Sequence, residues 1–410
     1  MTTTETAQES TFSPVQAYLD KVRGGDMGAL PAVFGLLVLC TAFTVLRPVF
    51  LTPGNLANLF TQGAAVTVIA MGLVFVLLLG EIDLSAGYTS GVCAAVLAVL
   101  LTNHGVPWYL AVLACLVTGV IIGFTLGFLR AKVGIPSFVV TLAAFLAFQG
   151  IALLLVKGGA NISIRDTVIL SIANKNVPPL IGWLLAAGCV AGYAIVQLVR
   201  ANNRARLGLT RTPVALVAAR IIGLAALLGV GVWVLNLERS RNAAFVSLKG
   251  IPIVVPLIAV LLVVGTFVLA RTKYGRHLYA VGGNAEAARR AGINVDLMRM
   301  SVFAVCSTMA AIGGIIAASR ANSVDPNTGG STVLLLAVGA AVIGGTSLFG
   351  GKGRVLDAVL GGAVVAVIEN GMGLLGYSAG VKYVVTGLVL LLAAGVDALS
   401  RRRGSVAGLR

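Results

Sequence analysis

Acidic side chains and histidine are what this chain has least of. Its 410 residues hold 14 Asp and Glu and 2 His against 30 Lys and Arg, a formal net charge of +16. Charged residues make up 11% of the chain, against about 25% in an ordinary soluble domain. Apolar residues reach 58% and the mean hydropathy is +1.00. That balance excludes a soluble enzyme, a disordered tail and a conventional nucleic-acid binder. The five cysteines, Cys40, Cys93, Cys115, Cys189 and Cys306, form no CxxC pair. Scattered through apolar runs, they imply neither a disulfide framework nor a metal site. His104 and His277 fall between the runs, and no run carries a chain of acids or histidines. A proton relay of the pump type therefore has no visible carrier. GGKGR at 350–354 is no phosphate loop: GxxxxGK[ST] requires Gly where Thr346 stands and Ser or Thr where Gly353 stands. No triad or paired carboxylates occur at useful spacing. The chain reads as a non-enzyme that binds no cofactor of its own and no nucleic acid.

What is abundant is apolar sequence and glycine. A membrane-crossing helix needs about 20 predominantly apolar residues. Twelve such runs lie near 30–46, 63–80, 86–101, 107–129, 138–156, 180–199, 214–235, 252–270, 300–318, 332–349, 355–376 and 381–399. The fold expected is an all-α, polytopic transmembrane helical bundle of about 12 spans (10–14). Glycine supplies 51 residues, and Gly119, Gly123 and Gly127 form a small-xxx-small ridge that lets helices approach closely. With the N-terminus placed in the cytoplasm and twelve alternating spans, 20 of the 30 basic residues fall inside and 9 outside. This positive-inside bias puts both termini in the cytoplasm. The remaining one, Arg220, falls within the seventh span and reads as a snorkelling residue near its cytoplasmic end.

The domain reading follows. Residues 1–28 form a polar cytoplasmic tail, 29–400 a single transmembrane domain, and 401–410 a basic cytoplasmic tail. A two-span insertion is expected near 175–245. The longest inside loop, 271–299, is polar and carries six basic residues. Gly282-Gly283 breaks it, Asn284 caps a short helix through Arg290, and Gly292 ends that helix. Glu286 lies in its first turn and Arg289 and Arg290 in its last, matching the helix dipole. So short a helix is not stable alone in water, so it needs a partner surface or the membrane face.

Intramembrane polar groups are costly and therefore candidates for function. Here they are Asp83 and Ser85 in GEIDLSAG (80–87), Thr141, Gln149, Asn322, Glu369 and Asn370. For Asp83 two readings stand: it lines a cavity at a helix break, or it caps the following helix. Glu369 and Asn370 either line a pathway or bond across helices.

The loop YGRHLYAVGGNAEAARRAGINV (274–295), with VIGGTSLFGGKGRVLDAVLGG (342–362) and VIENGMGLLG (367–376), resembles the membrane permease subunits of bacterial ABC sugar importers, the ribose/xylose/galactose group. GEIDLSAG and IPSFVVTLAAFLAFQGIALLL (135–155) fit the same pattern. The length and the insertion look most like the xylose-type permease. The resemblance implies a multi-pass protein of the bacterial plasma membrane, paired as a homodimer and surrounded by membrane lipid. It implies cytoplasmic ABC ATPase subunits that use ATP and Mg, and an extracytoplasmic sugar-binding protein. The short helix becomes the element that docks on the ATPase, with Gly282, Gly283, Asn284, Ala287, Ala288, Gly292 and Ile293 carried over and Arg289 and Arg290 available to acidic partners. Ribose, galactose, a quorum-signalling sugar or a branched-chain amino acid remain as other cargoes, and a self-sufficient secondary carrier as another mechanism.

Overall fold

The structure, a computed structural model, describes residues 30–157, 159–208, 213–240, 242 and 247–406. The expected tail 1–28 lies outside the described residues, as do Arg211 and residues 407–410; residues 401–406 continue the last helix. Helix dominates, as the apolar runs predict, because in lipid the backbone must satisfy its own polar groups. The helices are α1 (Leu30–Leu46), α2 (Pro53–Leu78), α3 (Ala86–Ala98), α4 (Trp108–Phe128), α5 (Ser137–Leu155), α6 (Thr167–Asn174), α7 (Pro179–Arg206) and α8 (Val214–Leu235). They continue with α9 (Val254–Arg271), α10 (Lys273–Gly283), α11 (Ala285–Arg290), α12 (Val295–Ala321), α13 (Ser331–Ile343), α14 (Val355–Leu374) and α15 (Ala379–Val406). Single π-helical turns extend α3 to Asn103 and α4 to Val133. Among the described residues nine helices are long and apolar enough to cross a membrane, and Leu30–Leu46, Ser331–Ile343 and Ala379–Leu392 are shorter apolar helices. Each of the twelve apolar runs coincides with one of these helices; α6, α10 and α11 lie between them.

The centre is made by α2 and α12. Helix α12 packs on α4, α3 and α2, and α2 also packs on α14 and α13. Contact there is backbone against backbone. A Cβ built on Gly119 would lie 2.8 Å from the Ser307 carbonyl, and one on Gly123 only 2.3 Å from that of Phe303. One on Gly127 would lie 2.6 Å from the Met300 Cα. The ridge read from sequence is thus the seam between α4 and α12. By contrast α7 and α8 pack chiefly on each other and meet the bundle near Ala57 and Ile251, leaving most of their apolar surface exposed.

Loop contacts group the loops into the same two sets that the charge bias does. Those assigned inside meet one another: Leu78 with Gly282 and Gly351, Glu81 with Arg130 and Arg299, Lys132 with Asp296. Those assigned outside also meet. Strands β1 (Ile162–Ser163) and β4 (Ser323–Val324) pair antiparallel, as do β2 (Asn176–Val177) and β3 (Ile251–Pro252).

One span departs from the sequence reading. The run 332–349 is helical only to Ile343, because Gly344 sits against the Asp357 backbone and Gly345 takes φ +113. Helix α13 is therefore about 20 Å long at 1.5 Å per residue, too short to cross alone. The chain reaches its start by turning back into the bundle. Gly329 packs on Gly87, Ser90 and Gly91 of α3, and Gly314 of α12 packs on that same Ser90. Gly314 lies two turns before α12 ends, so the segment 322–330 descends about 10 Å from the outer end of α12.

The outer loop after α8 is organised by one carboxylate. Glu238 accepts the amides of Leu248 (2.9 Å), Ser240 (3.0 Å) and Arg239 (3.0 Å) and the Ser247 hydroxyl (2.8 Å). These donors, the Leu248 amide first, lower its pKa to about 2. Since the folded value lies below the unfolded one, the loop keeps this contribution above pH of about 4.3 and loses it as pH falls toward 2. Amide exchange at Leu248 should stay protected at pH 4 and open below pH 3. Glu238→Gln should remove the difference between the two.

The α4–α12 seam makes a sharper demand. Gly192 of α7 has nothing within 4 Å of a built Cβ, so Gly192→Ala should leave stability unchanged or raise it by up to about 1 kcal/mol through helix propensity. The same change at Gly123 should cost about 3 kcal/mol by overpacking. Thermal unfolding in detergent reads both, and equal responses would contradict the seam.

Candidate functional site

At the inner face three glycine-bearing turns converge. Helix α2 ends at Leu78, and Gly80 (φ +70) turns the chain into an irregular stretch before α3 starts at Ala86. The Leu78 carbonyl accepts the Gly351 amide at 2.9 Å. A Cβ on Gly282 would stand 1.9 Å from that same carbonyl oxygen. Gly350 (φ +86) completes the contact, its built Cβ 2.9 Å from both the Gly282 carbonyl and the Gly80 nitrogen. Side chains would separate these segments; glycine alone lets the last turn of α10, the end of α2 and the 344–354 turn touch. Gly283, next in sequence, has open space around it. The two glycines of the loop therefore differ: Gly282 is a packing contact and Gly283 is not. Tyr279 adds a bond from its hydroxyl to the Gly353 carbonyl (2.7 Å).

Helix α11 stands on this junction. Asn284 Oδ1 accepts the Ala287 amide (2.9 Å), Glu286 pairs with Arg290 (3.2 Å) and Arg289 (3.6 Å), and Gly292 takes φ +84 to end the helix. Ala288 faces inward against Val281, Val295 and Met298, and Ile293 packs beside them. Glu286, Ala287, Arg289 and Arg290 are exposed. One small residue anchors the helix, and its charged face is presented outward.

Beside the junction Glu81 is clamped by two arginines. Arg130 Nε donates to both carboxylate oxygens at 2.9 Å, and Arg299 Nε approaches Oε1 at 3.1 Å. The three groups tie the α2–α3 break to the end of α4 and the start of α12. Sequence reading had counted Arg130 and Arg299 only as topology charges, and their meeting with an acid 49 and more residues away has no local signal.

The candidate pathway residues fall into three places. Asp83, Ser85 and Thr141 come together in the break: Asp83 Oδ1 accepts the Ser85 amide (2.9 Å) and hydroxyl (2.6 Å), and Thr141 donates to the Ser137 carbonyl (2.9 Å) and approaches that of Ile82 (3.3 Å). All three are fully buried, and Asp83 Oδ2 has no partner. Gln149 lies two turns along α5 from Thr141, half-buried. Asn370 is a cross-helix link: its amide exchanges hydrogen bonds with Asn55 (2.8 and 3.0 Å) and donates to Gln62 (3.3 Å), joining α14 to α2. Glu369 beside it is half-buried, with Oε1 unpartnered. Asn322 belongs to the outer face, at φ +57, accepting from Asn174 (2.9 Å).

The re-entrant segment supplies groups that sequence reading missed. Asp325 Oδ1 accepts the Asn327 amide (2.7 Å), the Thr328 hydroxyl accepts the Asp325 amide (3.0 Å), and Tyr88, held edge-on to Phe145, points its hydroxyl at Gly330. Asn327 is exposed and Asp325 half-buried at a depth where irregular backbone survives only inside protein or along a water-filled cavity. The available signal was DPNTGG at 325–330, a turn-forming cluster between two apolar runs.

Breaking the Glu81 clamp should be expensive. Glu81→Gln leaves two mostly buried guanidinium groups without a counter-charge and should cost about 3 kcal/mol. Lys132→Gln breaks the more exposed pair with Asp296 (3.0 Å) and should cost less than about 1 kcal/mol. Thermal unfolding of the purified chain tests the difference, and comparable losses would contradict the clamp.

Comparison with known proteins gives the family. A family profile described as "Branched-chain amino acid transport system / permease component" matches residues 55–394. The xylose transport system permease protein of Escherichia coli (strain K12) is 36% identical over 355 residues, 86% of this chain and 87% of the relative. That of Haemophilus influenzae is 31% identical over 384 residues, 93% of this chain and 99% of the relative. The ribose import permease protein of Escherichia coli (strain K12) is 29% identical over 367 residues, 89% of this chain and 92% of the relative. No solved structure matches. With its long apolar helices and this profile along most of its length, the chain belongs to the branched-chain amino acid transport system / permease component family and is a membrane transport subunit.

Proposed function

We propose that this chain is the permease subunit of an ATP-driven importer in the bacterial plasma membrane, carrying a monosaccharide inward, with xylose the favoured cargo. The observation that carries the mechanism is the junction at Gly282. An exposed, capped helix is joined there without intervening side chains to the end of α2 and to the turn that links α13 and α14. Force applied to α11 passes directly into the break beside Glu81 and so into α3, on which the re-entrant segment rests. Partner ATPase subunits, using ATP and Mg, would supply the differential contacts that a driven two-state change requires. A second copy of the chain would complete the pathway, and an extracytoplasmic binding protein would deliver the sugar.

The polar groups fit a neutral cargo. Asn327, Thr328 and Asp325 on the re-entrant segment offer hydrogen bonds without a fixed positive charge, which suits hydroxyl-rich solutes in passage. Asp83, Ser85 and Thr141 stand at the inner end of α3 and Glu369 on α14, where they bear on opening and closing. The xylose-named relatives favour xylose, and the ribose-named one keeps ribose as the second reading. Residues 29–400 then act as one permease domain with α7 and α8 as an inserted pair.

Reconstitution in proteoliposomes with the ATPase and sugar-binding subunits should give ATP-dependent uptake of labelled xylose. Gly282→Val should lower it more than tenfold while ATP hydrolysis continues. Arg289→Glu with Arg290→Glu should weaken ATPase association without altering membrane insertion. Uptake by the chain alone, driven by a proton gradient, would overturn the reading.

A further inference from the structure

Between the cytoplasmic ends of α7 and α8 lies a half-open cavity of about 360 Å³, lined among others by Gln197, Arg200 and Arg204 of α7 and by Val217 and Arg220 of α8. Gln197, Arg200 and Arg204 follow one another at helical spacing along one face, and Arg220 comes from the opposite helix. We infer that this cavity is a binding site for the headgroup of an anionic phospholipid of the cytoplasmic leaflet.

The first argument is charge. No Asp or Glu occurs between Asp166 and Glu238, and Glu238 belongs to the outer loop at the far end of α8. Among the described residues none of the three arginines has an acidic partner. Three guanidinium groups around one cavity, with no counter-charge in the hairpin that carries them, call for an anion from outside the chain. Arginine forks suit phosphate oxygens, which they take in pairs.

The second argument is position. Arg220 lies six residues into α8, about 9 Å along it from the end that the charge bias assigns to the cytoplasm. Outside the lining, the same two helices expose apolar side chains close by in sequence: Leu198 (59% exposed), Val199 (52%) and Ile222 (66%). A free phosphate would have no use for these neighbouring apolar side chains. A phospholipid would set its phosphate among the arginines and lay its acyl chains along them. Basic pockets between membrane helices on the cytoplasmic side take anionic headgroups for this reason. The volume falls within the range of small-ligand sites. Gln197, a buried residue of the lining, adds an amide suited to a phosphate or glycerol oxygen.

The third argument is what α7 and α8 otherwise lack. They pack on each other and touch the bundle along little of their length. A lipid bridging Arg200 and Arg204 to Arg220 would hold their inner ends together at a point where like charges repel.

The test uses the full chain in nanodiscs of phosphatidylcholine doped with phosphatidylglycerol or cardiolipin, with retained lipid read by native mass spectrometry after transfer to detergent. The wild-type chain should retain the anionic lipid at least tenfold over phosphatidylcholine. Arg200→Gln with Arg204→Gln and Arg220→Gln should abolish that preference, while Arg206→Gln, on the same helix end but outside the cavity lining, should keep it. Arg220→Lys, which retains the charge, should keep part of it, and the single change Arg220→Gln, which should lower it at least threefold, serves if the triple variant fails to fold. Inorganic phosphate at 50 mM (an amount of about that order, well above what a low-affinity anion site needs) should not displace the lipid. Unchanged retention in both the triple variant and Arg220→Gln, or full displacement by phosphate, would overturn the proposal. Loss of ATPase-subunit association with lipid retention unaffected would do the same, assigning the cavity to a protein partner.

Discussion

Direct approach of backbone to backbone through glycine is the constraint on which this structure rests. Lipid offers helices no hydrophobic reason to associate, so packing must supply the attraction, and packing is closest where a side chain is missing. The α4–α12 seam through Gly119, Gly123 and Gly127 uses this contact, as do the seat of Gly329 on α3 and the junction of Gly282 with Leu78 and Gly351. In each case a methyl group would run into backbone, joined at Gly329 by the Ser90 hydroxyl. The result is a stiff interior in which movement of one element must move its neighbours.

Polar residues add the specific ties. Glu81 fastens the α2–α3 break to α4 and α12, the amides of Asn55, Gln62 and Asn370 join α2 to α14, and Asn174 and Asn322 close the outer side. The acids are few, and several are committed to a partner: Glu81 to arginines, Asp357 to Arg354, Asp296 to Lys132. The re-entrant segment is the exception. Its Asp325 and Thr328 hold the turn internally, yet Asn327 stays exposed at membrane depth. With the α2–α3 break, this is a second place where polar, irregular chain enters the apolar bundle.

Much of the architecture was legible from residues alone. The twelve apolar runs correspond to helices, and the loops that the charge bias assigns to one side are loops that meet in the structure. Asn284, Glu286, Arg290 and Gly292 mark the ends of α11 because capping and dipole effects act within one turn of chain. The run 332–349 was misleading. Its composition continues evenly through the glycines at 344 and 345, but the backbone there leaves the helix to pass Asp357.

Sequence by itself determined that this protein lives in a membrane, which loops gather the basic residues and where its short polar helix begins and ends. These follow from local rules: transfer of apolar side chains from water, the bias of basic residues to one side, and the satisfaction of backbone groups at helix ends. Only the tertiary structure decided that Gly282 bears on Leu78 while Gly283 bears on nothing, and that two distant arginines share Glu81. It alone brought 322–330 back onto α3. Those contacts join residues far apart in the chain, and the energy that selects them comes from shape and charge fitting in three dimensions, which no stretch of residues carries alone.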